Sequence, residues 1–321
     1  MTFAVGFTWI SETLLAFIHM AENAIHLYEF AEEPRQINLI RVLELPPLCD
    51  GGRLNFAQCN SEQNPVFHSP CPNSSRSSSN NRPRPPPRFP FRYNPADGIA
   101  CFILGVGLEE IPGASMTIAI VVHRHVLVAL ASAAAAAAAA ADVPGASSSA
   151  GTTISQQRVP WDSWGPSATR CLEVPYWRRC GEPIGQRWAM LAHDELLVRD
   201  FNPHSVRHAA AQLSPTTPQA QTQASSSSST SSTARGTPVV PRNVRVLRHE
   251  NGNRTRVVTA PTLLTAGLCF RGDVISHLPY VETRATCTPR WESVLTDGER
   301  LFGLYFKVSL LPQPLSRSGV G

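Results

Sequence analysis

The stretch Val294-Leu-Thr-Asp-Gly-Glu-Arg-Leu-Phe-Gly-Leu304 decides the fold. Apolar runs at 291–295 and 301–308 flank Thr296-Asp297-Gly298-Glu299. Asp-Gly between two β-prone runs is a strong hairpin signal, because glycine accepts φ > 0. Working back toward the N-terminus, the same style recurs. Residues 243–249 set Val244, Val246 and Leu247 among arginines before the turn-like Asn251-Gly252, and 196–201 reads as a strand closed by Asn202-Pro203. Residues 98–106 and 116–122 are aliphatic and β-branched, and 37–45 stops at Pro46-Pro47, which cannot donate to a ladder. Runs 14–19 and 24–30 are separated by 20–23; the second carries Ile25 and Leu27 on one side and Tyr28 and Phe30 on the other, as a strand buried between neighbours does. Residues 126–131 turn helical, because they run into an alanine tract. Many short strands with turn signals between them imply an all-β fold of antiparallel strands, propeller-like or a sandwich; no strict repeat chooses between the two.

Three low-complexity tracts interrupt the pattern: Pro, Ser, Asn and Arg at 69–90, alanine at 133–141 leading into serine, and Ser, Thr, Gln and Pro at 211–238. None offers enough varied apolar surface to offset its ordering entropy. The expected organisation is one domain built from β-rich segments 1–68, 96–131 and 158–210 and strands in 242–308. It is interrupted by disordered insertions at 69–95 and 211–241 and an Ala/Ser-rich linker at 132–157, and is followed by a tail at 309–321.

Charge and cysteine usage exclude several classes. The net charge of +4 is spread out, and its densest group, Arg82, Arg84 and Arg88, lies in a Pro-rich loop without base-stacking aromatics, so no nucleic-acid partner is expected. Lys307 is the one lysine among 28 basic residues, a bias toward arginine. Eight cysteines without a C-x-x-C pair read as reduced intracellular thiols. The start has Glu12 within its apolar run and no basic flank, so no secretory signal is read, and no window reaches the ~20 apolar residues of a membrane helix. The expected location is cytoplasm or nucleus, without a membrane partner.

No enzyme motif survives inspection. His123 and His125 would share a strand face, but no acidic residue or cysteine stands nearby at ligand spacing; a metal-dependent enzyme built on them is the remote alternative. His204 and His208 have metalloprotease spacing, yet Ser205 stands where the catalytic glutamate should, and a helix starting at Pro203 is the ordinary reading. Gly105-Val106-Gly107 lacks the third glycine of a dinucleotide loop. No catalytic, cofactor or metal residue is assigned, and no cofactor is expected. Trp161 and Trp164, bracketed by Pro160 and Pro166, are read as a plug at the end of a sheet core rather than an exposed platform. Arg170, Arg187 and Arg199 are expected in surface ion pairs with Asp162, Asp194, Asp200 or Glu195.

Four motifs follow in order: VPWDSWGP (159–166), VRDFNP (198–203), LPYVET (278–283) and VLTDGERLFGL (294–304). Before them come LLAFIH and AIHLYEF, INLIRVLELPPL, CNSEQNPVFHSP, a Pro-rich tract, DGIA at 97–100 and VVHRHVLVAL at 121–130; a GQR step stands at 185–187. In this order the segments resemble the body of a family of F-box proteins from mushroom-forming fungi. That resemblance implies a β-rich, WD-repeat-like region that binds the protein to be modified, behind an F-box that docks on the Skp-type adaptor of a cullin ubiquitin ligase. It marks Trp161, Trp164, Gly165, Pro166, Arg187, Asp200, Phe201, Asn202, Pro203, Leu278, Pro279, Tyr280, Asp297, Glu299 and Arg300 as scaffold positions. The chain departs from the family at the F-box. Its only Leu-Pro string, Leu45-Pro46-Pro47-Leu48, runs into Gly51-Gly52 without a helical stripe. The expectation is a non-catalytic interaction domain, a truncated gene product or one that has lost its F-box, with the adaptor as partner only if an F-box lies upstream. A β-scaffold binding a partner outside ubiquitin signalling is the alternative.

Overall fold

A computed structural model describes residues 6–31, 36–61, 97–109, 115–141, 158–174, 180–192, 195–213, 246–248, 253–266, 269–286, 293–296 and 301–304. The chain is β-rich and folds into several antiparallel sheets, none closed into a barrel or a ring among these residues. The first sheet orders β1 (Phe7–Trp9), β2 (Leu14–His19), β3 (Ala24–Ala31), β4 (Gln36–Glu44) and β8 (Arg158–Val159), with β8 parallel to β4. The second orders β5 (Gly52–Ser61), β6 (Ile99–Leu108), β7 (Ser115–His123) and β9 (Thr169–Glu173). The third orders β10 (Arg187–Ala192), β11 (Glu195–Asp200), β16 (Tyr280–Thr286), β13 (Arg254–Val258) and β12 (Val246–Arg248). Two two-stranded hairpins complete the set, β14 (Thr262–Leu264) with β15 (Val274–Ser276) and β17 (Ser293–Thr296) with β18 (Leu301–Leu304). The last pairs Thr296 with Leu301, the antiparallel register expected around Asp297-Gly298.

The second sheet is the middle layer, and the composition of β6 explains why. Ile-Ala-Cys-Phe-Ile-Leu-Gly-Val-Gly is buried at every position, the continuous apolar run of a strand covered on both faces. Ala100, Phe102, Leu104 and Val106, with Ile118, Ile120 and Val122 of β7, pack on Leu14, Ile18, Ile25, Leu27 and Leu43 of the first sheet. The alternate residues Ile99, Cys101 and Ile103, with Ala119 and Val121, pack on Trp188, Met190, Leu197, Phe201 and Tyr280 of the third sheet. The period of two thus sends one strand's side chains into two cores. Gly105 makes room in this layer: a Cβ there would collide with the Phe56 ring of β5, beside the irregular register at Leu54 and Phe56.

Three helices accompany the sheets among the described residues. α1 (Arg124–Ala141) continues through the alanine tract, past residue 132 where composition places a linker. Alanine forms helix without needing a core to bury. α2 (Trp161–Ala168) occupies the segment read as a strand end. Pro160, at φ −65°, is its N-cap and starts the helix, and the indoles of Trp161 and Trp164 are both buried one turn apart. α3 (Pro203–Leu213) starts at Pro203 as the sequence suggests. Residues 211–213 of the insertion expected at 211–241 belong to α3, while its remainder at 214–241, the insertion at 69–95, the remainder of the linker at 142–157 and the tail at 309–321 lie outside the described residues. No described helix is long and apolar enough to cross a membrane.

Candidate functional site

The motif residues fall on the seams between the sheets. On α2 the two indoles meet edge to face, with ring centroids 5.3 Å apart, and Trp164 Nε1–H donates to the carbonyl of Glu44 at 3.0 Å, tying the helix to the end of β4. A Cβ on Gly165 would collide with the Trp161 ring, so glycine is required by that close approach. Thr169 Oγ1 donates to the Gly165 carbonyl at 2.6 Å. The His277 N–H donates to the Pro166 carbonyl and the Leu278 N–H to the Thr169 carbonyl, so Leu278, Pro279 and Tyr280 are laid against the exit of α2. The second seam is the DFNP turn. Asp200 Oδ1 accepts from the Asn202 N–H and Asn202 Oδ1 from the His204 N–H, two successive side-chain turns that launch α3. Phe201, 1 % exposed, packs on Tyr280 with centroids 5.4 Å apart, and Arg187 pairs with Asp200 at 3.2 Å. Asp297, Glu299 and Arg300 lie outside the described residues.

The arginines expected at the surface divide. Arg187 is exposed and pairs with Asp200 as anticipated, whereas Arg170 and Arg199 are buried. Register explains Arg199: Trp188, Arg199, Glu282 and Arg256 stand opposite one another on β10, β11, β16 and β13, on the face that packs against the middle sheet. Glu282 has no exposed surface. It accepts from Arg199 Nε at 3.0 Å, Arg256 Nε at 2.8 Å and Arg284 Nε at 2.8 Å. Burial alone pushes this carboxyl up, but the three guanidiniums together outweigh it and hold the group below its ordinary value. Arg199 also lies over the rings of Trp188 and Tyr280, at 5.8 and 5.6 Å, and Arg170 covers Tyr280 at 5.0 Å while donating to the Ala260 carbonyl at 2.8 Å. Glu282 is the residue that the sequence reading missed. Its signal is an acidic side chain in the otherwise inward-facing set Tyr280, Glu282, Arg284 of an alternating strand. Saturated by three cations and enclosed, it is built to hold strands β11, β16 and β13 of the third sheet together rather than to move protons.

Thiol chemistry is suppressed at the buried cysteines of the sheets. Burial pushes Cys59, Cys171 and Cys180 up to about 12 and Cys101 well above its ordinary value, far from the range of a nucleophilic thiolate. His123 and His125 are split between the end of β7 and the start of α1. Their rings stack at 5.2 Å, and they gather no third ligand at metal-binding distance among the described residues.

A different set does gather. The turn between β2 and β3 is a 3₁₀ turn, Met20–Glu22, closed by Asn23 in the left-handed region at φ 50°. Asn23 Nδ2–H donates to the Pro46 carbonyl at 2.9 Å, which anchors the turn to the end of β4. His26 stands opposite Phe17, and His19, two residues beyond Phe17, shares that face of the hairpin. The imidazoles of His19 and His26 therefore stack in parallel, with centroids 4.8 Å apart. Glu22 joins them: Oε1 lies 3.6 Å from His19 Nδ1 and Oε2 lies 3.5 Å from His26 Nε2. The ligand-type atoms of the three residues all fall within 4.8 Å of one another. Arg158, two strands away on β8 in the same register row, donates to Glu22 Oε2. Beside the turn opens a cleft of about 500 Å³ lined by Met20, Ala21, Asn23, Leu48, Cys49 and Arg53, among others. Neither a family model, nor a curated protein, nor a solved structure matches the chain.

Proposed function

We propose that the chain is a non-catalytic protein-interaction domain, comparable to the substrate-recognition region of an F-box protein, in which stacked sheets of propeller-like arrangement present their connecting loops to another protein. The supporting observation is where the motif residues go. Trp161, Trp164, Gly165, Phe201 and Tyr280 are committed to seams between elements, as expected of a scaffold whose recognition lies in its loops. Antiparallel sheets of four and five strands packed face to face are also how the blades of a propeller follow one another. The helices α1, α2 and α3 are separated by strands, and among the described residues they offer no continuous helical unit of F-box type. The purified chain should accordingly show no calorimetric signal with a Skp-type adaptor.

Proximity labelling from the chain in its native cells, with and without inhibition of cullin ligases, tests the reading. A reproducible set of labelled proteins is the expected outcome, and members that accumulate under inhibition are those that a cullin ligase turns over. A labelled set unchanged by inhibition would remove the link to ubiquitin transfer and leave a scaffold for some other assembly.

A further inference from the structure

We infer that His19, Glu22 and His26 form a binding site for a single borderline divalent cation of the zinc type, at the tip of the β2–β3 hairpin. Nδ1 of His19 and Nε2 of His26 are buried atoms that make no hydrogen bond, and the His26 side chain is only 5 % exposed. Buried polar atoms ordinarily find partners, so two unmatched nitrogens facing one carboxylate require an explanation.

The tautomer supplies it. His26 Nδ1 lies 3.4 Å from the Tyr28 hydroxyl, and with the Nδ1 proton directed at that oxygen the Nε2 lone pair faces Glu22 Oε2. Lone pair against carboxylate is repulsive unless a cation stands between them. A proton is a poor candidate, because a second imidazole is stacked in parallel 4.8 Å away and two adjacent imidazoliums would repel each other. A metal ion takes neutral imidazole as it is, with the remote ring nitrogen free to donate outward, here toward the Tyr28 hydroxyl.

The spacing agrees. Two ligands each ~2.0–2.1 Å from zinc at a tetrahedral angle stand roughly 3.3 Å apart. The separation of 3.6 Å between His19 Nδ1 and Glu22 Oε1 is close to that, and the three ligand atoms all lie within 4.8 Å of one another. Two nitrogens and one oxygen are the donor set of a zinc site whose fourth place is left to water. Arg158 grips Glu22 Oε2 and reaches Glu44 Oε1 at 3.6 Å, so part of its charge is answered by the second carboxylate and Glu22 Oε1 is left for the ion.

The test uses the full chain, reduced, stripped with chelator and titrated by calorimetry with zinc alone, then with cobalt for its visible spectrum. One ion per chain at micromolar affinity or tighter is expected, with a cobalt spectrum free of the intense thiolate charge-transfer band. His19→Ala, half-exposed and so able to fold, and Glu22→Gln should each weaken zinc binding by ~10-fold or more. Both should retain the parent's thermal midpoint in the absence of metal to within a few degrees. Failure of the parent to bind, a thiolate band, or His19→Ala and Glu22→Gln binding zinc as the parent does would each overturn the site.

Discussion

Two carboxylates, Glu282 on β16 and Glu22 in the β2–β3 turn, each stand among basic side chains, yet the molecule treats them oppositely. Glu282 is sealed between sheets and receives three guanidiniums, so every partner needed to hold its charge is already present. Glu22 is about one-third exposed at the rim, facing two imidazole nitrogens that hydrogen-bond to nothing and a single arginine. A buried charge survives only when its surroundings over-supply it, whereas a rim charge can remain incompletely matched because water answers the remainder. Completeness marks the first as a structural fastening. Incompleteness marks the second as a place where something else can bind.

The largest effect that tests this contrast is Glu282→Ala. Leaving Arg199 buried without its carboxylate should cost about 3–5 kcal/mol, read from urea denaturation. A loss below about 1 kcal/mol would show that the cage is as dispensable as a surface pair. Next, Tyr280→Leu removes the ring beneath Arg170 and Arg199 and its packing on Phe201, and about 2 kcal/mol should be lost on the same measurement. Acid provides a third comparison. Because the folded-state value of Glu282 is depressed, its contribution is fully present above the unfolded carboxylate value of about 4.3 and is lost as pH falls through the lower folded value. Stability measured from about pH 6 to pH 3 should therefore decline at the acid end, and Glu282→Gln should flatten that decline. The smallest effect belongs to the rim: Glu22→Ala without metal should change stability by less than about 1 kcal/mol. A larger loss would mean that the turn is fastened rather than open.

How much of this was legible depended on whether the determinant was local. The hairpin of β2 and β3, the stop of β4 near Pro46 and the doubly covered β6 follow from alternation, proline and a continuous apolar run, all visible within ten residues or so. The helix α2 was not legible, because Pro166 and Gly165 sit inside it and its stability comes from burying Trp161 and Trp164 against distant strands. Arg199 and Glu282 were misjudged or missed for a related reason, since their meeting depends on the register of β11 against β16. His19, Glu22 and His26 were overlooked because their spacing has the look of a helix face, while the backbone is strand, tight turn and strand. His123 and His125 have the more conventional strand spacing, but the boundary between β7 and α1 divides them between two elements.

The excursion between β7 and β9 has a consequence for how the chain must fold. After β7 the chain leaves the middle sheet through α1, adds β8 beside β4 of the first sheet, and returns through α2 to place β9 back beside β7. The two layers are therefore interlaced rather than merely stacked, the last strand of the middle sheet coming later in the chain than the strand given to the first sheet. Such non-local closure is slow, because loop entropy is spent before the contacts that reward it are made. Once made, it couples the layers, so force applied to the termini should rupture both in one event rather than peel one sheet from the other.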